Sequence, residues 1–91
     1  MKKRDILKQE LFKACNFNLF EKEIDNYNMA HPSNQRSKLE ALNQGWFNGA
    51  PTYNQTIIAI EIAGYKSPKS DRTWHTVWDI IEEIGLEKGY K

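Results

Sequence analysis

The chain has 91 residues, 13 Lys and Arg against 12 Asp and Glu, 40 % hydrophobic and 12 % aromatic letters. That is the composition of one small folded domain, with no room for a second. A single cysteine, Cys15, excludes an internal disulfide and a cysteine-rich zinc module, so stability must come from packing. No apolar run reaches the roughly 18–20 residues that cross a bilayer, and Met1-Lys2-Lys3-Arg4-Asp5 leads into a mixed segment with no signal-like hydrophobic stretch, so a cytoplasmic location is expected.

Apolar residues recur at three and four positions almost throughout, which predicts helices. From Asp5, residues Ile6, Leu7, Leu11, Ala14 and Cys15 share one side of a first helix that ends near Asn16. Asn18 and Glu21 have the spacing of a capping box for a second helix carrying Phe20, Ile24 and Tyr27, which His31-Pro32 stops. Ser37 and Glu40, or an earlier start at Ser33, cap a third helix with Leu39, Leu42 and Trp46. Of the neighbours Trp46 and Phe47, only one can point fully inward, and Phe47 is expected to be the exposed one.

Thr52 and Gln55 cap a fourth helix with two apolar stripes, Tyr53-Ile57-Ile60 and Ile58-Ile62, which predicts a central, well-buried element. Gly64 ends it, because glycine accepts the left-handed conformation past a last helical residue. After a polar loop, Ser70 or Asp71 caps a fifth helix carrying Trp74, Val77, Trp78, Ile80, Ile81 and Ile84, with Gly85-Leu86 as its expected ending and a tail that frays or docks through Tyr90. The expectation is an all-α single domain of about five short helices. Residues 1–34 form an N-terminal helical pair, 35–86 a tri-helical core and 87–91 a tail, with Trp74, Trp78, Ile57, Ile60, Leu39 and Leu42 buried.

Catalytic signatures are absent. The glycines are scattered over helix ends and turns and form no phosphate loop, and no nucleophile–base motif is present. His75 and Asp79 have ligand spacing, but two ligands are too few for a metal, and Cys15 on an apolar helix side reads as a small core residue. The expectation is a non-enzymatic protein with no metal and no cofactor.

Residues 52–86 combine Ile58-Ala59 and Ile62-Ala63-Gly64-Tyr65 on one helix, a polar loop, and Thr73, Trp74, Val77 and Ile81 on the next. This arrangement resembles the helix-turn-helix units of DNA-binding domains, in which small residues lie where the second helix crosses the first and a glycine opens the turn. The resemblance implies a regulator or accessory factor of transcription that binds double-stranded DNA, with dimerisation to read two half-sites. Its DNA contacts would be Lys66, Lys69, Arg72, Thr73, His75 and Thr76: Arg72 donating to a guanine, the threonines meeting a thymine methyl or a phosphate, the lysines holding the backbone. The amphipathic first helix is the segment available for pairing in a homodimer.

Two features depart from that pattern. The connection from Gly64 to Asp71 is longer than the usual turn of three to four residues, and Asp71, Asp79, Glu82 and Glu83 put negative charge on the reading helix. The second reading is therefore a protein-interaction module, such as an adaptor or a phage- or plasmid-type inhibitor, in which Asp79, Glu82 and Glu83 meet a basic partner. Acids near a helix C-terminus also oppose its dipole and ask for a cation, either Lys2-Lys3-Arg4 or a basic surface elsewhere. High asparagine content and short length fit a protein of a mobile element.

Overall fold

The computed structural model describes residues 1–66 and 71–91; Lys69 and Ser70, which the sequence offered as a DNA contact and a helix cap, lie outside them. Five helices follow in order: α1 (Lys3–Ala14), α2 (Phe17–Ala30), α3 (Lys38–Gln44), α4 (Tyr53–Ala63) and α5 (Asp71–Glu87), and no strand is present among the described residues. The all-α class and the number of helices are as the spacing predicts. Buried apolar side chains from every helix form one cluster, with Leu7, Leu11, Phe20, Ile24, Ile60 and Ile80 fully excluded from solvent.

Helix ends follow local chemistry. Ser37 caps α3 by accepting from the Glu40 N–H, and Thr52 and Gln55 complete both halves of a capping box on α4. Gly45 and Gly64 close α3 and α4 in the left-handed conformation. Two expected ends move. The cap of α2 is Asn16, which accepts from the Leu19 N–H, so α2 starts two residues before the Asn18–Glu21 pair would place it.

Gly85 does not end α5. The helix runs on to Glu87, and Gly89, with φ +83°, takes the left-handed position while the Tyr90 N–H returns to the Gly85 carbonyl. Gly85 is instead a packing position: a Cβ there would lie 2.7 Å from Leu39 Cδ1, so the missing side chain lets α3 cross α5 closely. The tail docks. Tyr90 is buried against Phe20, its hydroxyl donates to Glu21 Oε2 at 2.6 Å, and the Lys91 carbonyl accepts from the Ser37 hydroxyl.

The arrangement of the helices departs from the expected division into a pair and a trio. α1 packs along α4 and α5 rather than pairing with α2, and α3 packs on α5. Leu7 and Leu11 are therefore used inside the chain, and the apolar side of α1 is not free for pairing with a second copy as anticipated. Of the six residues expected in the core, Leu42 and Ile60 are buried and Leu39, Ile57 and Trp74 half-buried. Trp78 is 46 % exposed, because α1 and α3 cover the Val77-Ile80-Ile81-Ile84 side of α5 and leave its flank open. The Ile58-Ile62 stripe of α4 is also exposed, since α1 covers one side of that helix only. Trp46, not Phe47, is the exposed member of its pair: Phe47 turns in to meet Phe20 and Tyr27 edge-on, while Arg36 lies over the Trp46 ring at 4.7 Å.

The turn between α3 and α4 is anchored to α2 at Gly49, whose carbonyl accepts from the Asn16 N–H at 2.8 Å. Gly49 has φ +101°, and a Cβ there would sit 2.5 Å from the Asn16 carbonyl oxygen and 2.6 Å from the Phe20 nitrogen, both immovable backbone atoms. Gly45 also has a positive φ but open space around it. Gly49→Ala is expected to destabilise the fold by more than about 2 kcal/mol, and Gly45→Ala by about 1 kcal/mol. Denaturant unfolding of the two variants checks this, and equal losses would contradict the close approach.

Candidate interaction surface

The residues expected to read DNA do not form one exposed set. Lys66, Arg72 and His75 are exposed, but Thr73 is 7 % exposed because its position on α5 falls on the inward side with Val77 and Ile80. Its predicted role at a base edge is therefore corrected: Thr73 is a core residue. Thr76 is half-buried, and its hydroxyl donates back to the Arg72 carbonyl at 3.1 Å. The small residues Ala59 and Ala63, which the helix-turn-helix resemblance assigns to the crossing of α5, face the side of α4 on which α1 packs. α4 meets α5 at their first turns, through Tyr53 and Trp74 stacked at 5.7 Å.

The acidic residues of α5 differ in what they meet. Glu83 faces α1 and accepts from Arg4 Nη2 at 2.7 Å and Lys8 Nζ at 3.1 Å, and Lys8 also reaches Glu87 at 2.5 Å. These cations answer the charge that the α5 C-terminus would otherwise oppose. Glu83 is thus spent inside the molecule, which removes it from the acidic set proposed for a partner. Asp79 and Glu82 remain exposed and make no ion pair within 4 Å among the described residues, although the Arg4 charge also acts on Asp79.

Asp71, His75, Trp78, Asp79, Glu82 and Leu86 fall on the outward side of α5, opposite Val77, Ile80 and Ile84. Trp78 is 46 % and Leu86 56 % exposed, two turns apart, with the two acids between them. His75 holds the Trp78 ring edge-on at 5.3 Å, and Asn43 Nδ2 donates to the Trp78 carbonyl at 3.0 Å, so the tryptophan is supported from its own helix and from α3. Next to this strip lies a groove of about 250 Å³ between the end of α3 and the starts of α4 and α5, lined by Pro51, Tyr53, Trp74 and Trp78 over a floor of Leu42 and Val77. The sequence signal for this surface was the Trp74–Trp78 spacing, which reads equally well as a buried ridge.

Burial pushes the Cys15 thiol up to about 11, and its Sγ donates to the Leu11 carbonyl at 3.3 Å. Among the described residues no group of three or more His, Cys, Asp or Glu is placed to hold a metal ion, and no helix is long and apolar enough to cross a membrane. Comparison with protein-family models, curated proteins and solved structures finds no match for this chain.

Two outcomes follow. The hydrogen bonds from Arg4 and then Lys8 hold the Glu83 carboxyl below its ordinary value, so its contribution to stability is present above the unfolded-state pKa of about 4.3 and is lost as pH falls below it. Glu83→Gln is expected to lower Tm at pH 7 and to converge with the parent as pH is lowered through that range; a constant gap would contradict the ion network. For Cys15, reaction with a disulfide reagent at neutral pH is expected to be slow in the native protein and fast in denaturant. Rapid native labelling would show an accessible thiolate instead.

Proposed function

We propose that this protein is a non-enzymatic helical interaction module that docks a basic protein partner through the outward strip of α5. The observation that carries this reading is the pairing of half-exposed Trp78 and Leu86 with exposed Asp79 and Glu82, neither in an ion pair among the described residues, on the outward side of one helix. Aromatic anchors supply most of the energy of protein interfaces, and a single-sign rim sets the charge of the partner and speeds its encounter. The chain holds this strip on a rigid helix, buried on its other side against α1 and α3, so little ordering cost accompanies docking. An inhibitor or adaptor of a host protein fits this description.

DNA binding is the second reading, favoured by Arg72 and His75 exposed near the start of α5 with Lys66 close in sequence, and by the helix, glycine and helix order of residues 52–86. It has less support. Asp71, Asp79 and Glu82 share the outward side of α5 with His75 and would repel phosphate, whereas phosphate neutralisation supplies most non-specific DNA affinity. A salt titration with random duplex DNA separates the two. The interaction reading expects no binding at low salt; the DNA reading expects binding that weakens with salt and whose log–log slope shrinks by about one in Arg72→Ala.

The interaction reading is tested directly with a photo-crosslinking residue at position 82 in cells that express the protein. A discrete protein adduct is expected, absent when the same residue stands at exposed position 22 on α2 and lost in Asp79→Lys. Adducts that do not depend on position or on Asp79 would refute it.

A further inference from the structure

The aromatic groove beside the α5 strip has a chemistry narrower than a general docking surface. Tyr53 and Trp74 stack in near-parallel planes, 20° apart, and Trp78 stands one turn beyond Trp74 on the same helix. Tyr53 is 62 % exposed, so the stack presents a ring face to solvent rather than ending in the core. Pro51 closes the groove at the start of α4. The indole N–H groups of Trp74 and Trp78 make no hydrogen bond within the described residues, which leaves donors beside flat apolar faces.

The size of the groove limits its occupant. At about 250 Å³ it falls below the roughly 300–1,000 Å³ of pockets that enclose small molecules. An α-helix, about 10–12 Å across with its side chains, would ride over the rings without entering. Extended chain fits better. Polyproline II segments have no internal hydrogen bonds, expose their carbonyls, and place rigid pyrrolidine rings where aromatic grooves receive them, at low entropic cost. Indole N–H donors beside ring faces match those two needs.

Charge fixes the flanking residues. Asp71 lies one turn before Trp74 and Glu82 one turn after Trp78 on α5, and Glu40 lies one turn before Asn43 and Gln44 on the α3 side, all exposed. The nearest cation on α5, Arg72, is displaced towards the side that carries Glu83 and α1. A phosphate backbone stacking its bases on the same rings would meet these carboxylates, whereas an arginine or lysine next to the prolines would be drawn to them.

We propose that the Tyr53–Trp74–Trp78 groove binds a proline-containing extended segment flanked by basic residues on a partner protein. This rests on the interaction reading above and names the kind of segment recognised.

The test is a titration of the full chain with a short peptide of Pro-Pro-Arg repeats, followed by tryptophan fluorescence and by the indole N–H resonances of Trp74 and Trp78. Saturable binding is expected, with those two resonances shifted and that of Trp46 unmoved. Tyr53→Ala and Trp78→Ala remove a largely exposed and a half-exposed ring, so the helical spectrum should persist while affinity falls about tenfold or more; Glu82→Lys should weaken binding as well. Pro-Pro-Glu repeats should bind more weakly, and Gly-Gly-Arg repeats and oligo(dT) should fail to move the indole signals. The proposal is overturned if Pro-Pro-Arg repeats do not bind, if Gly-Gly-Arg repeats bind equally well, or if oligo(dT) takes the groove instead. Failure of the peptide alongside a specific adduct at position 82 removes the proline groove and leaves the interaction module standing; failure of both removes the two together.

Discussion

The burial of Leu7 and Leu11 where α1 meets α4 and α5 is the contact on which the rest of the architecture depends. Both side chains are fully excluded from solvent, and each such burial is worth about 1.5–3 kcal/mol. α4 and α5 touch one another mainly at their first turns, so α1 is the element that joins their inner faces into one core. Ala59 and Ala63 make this possible, since small side chains on α4 let α1 approach. Arg4 and Lys8 sit on the same helix as the two leucines and reach Glu83 and Glu87 across the junction. Exposed ion pairs of this kind add little to stability; they follow from the burial of the Val77-Ile80-Ile84 side, which sets Glu83 and Glu87 beside α1.

That choice shapes the surface. With Glu83 and Glu87 turned to α1, the open side of α5 keeps Asp79 and Glu82 beside Trp78 and Leu86. α3 crosses α5 at Gly85 and supports the Trp78 carbonyl through Asn43. The tail then returns through Tyr90 to Glu21 and through Lys91 to the cap of α3, so α2, α3 and α5 are tied at one end. The aromatic groove sits at the other end of the α3–α5 contact. Its rings are held by the core on one side and open on the other.

Local signals in the chain read well wherever the deciding physics is local. Ser37, Thr52, Gly45 and Gly64 mark helix ends because a side-chain oxygen or a left-handed glycine satisfies orphan backbone groups within a few residues. Gly85 misled for the same reason: it has the composition of a helix end, but its role is to admit Leu39 from another helix. Asn18 misled as a cap because Asn16, two residues earlier, has the same side chain and is held by the Gly49 carbonyl from a distant turn. The candidate surface was less legible. The Trp74–Trp78 spacing and the acidic run of α5 were visible, but neither their exposure nor what each acid meets was.

Helical periodicity, capping residues and the lack of cysteine pairs or membrane-length apolar runs determined by themselves that this chain is an all-α protein with the five helices seen among the described residues, because a helix depends on residues within four positions of one another. Only the tertiary structure decided that Thr73 lies inside and Trp78 outside, that Ile58 and Ile62 face solvent, and that Glu83 makes ion pairs with Arg4 and Lys8 while, among the described residues, Asp79 and Glu82 make none. An amphipathic stripe wider than any one neighbour can cover has two flanks, and which flank is buried depends on where α1 and α3 land, a matter of contacts between residues up to 79 positions apart.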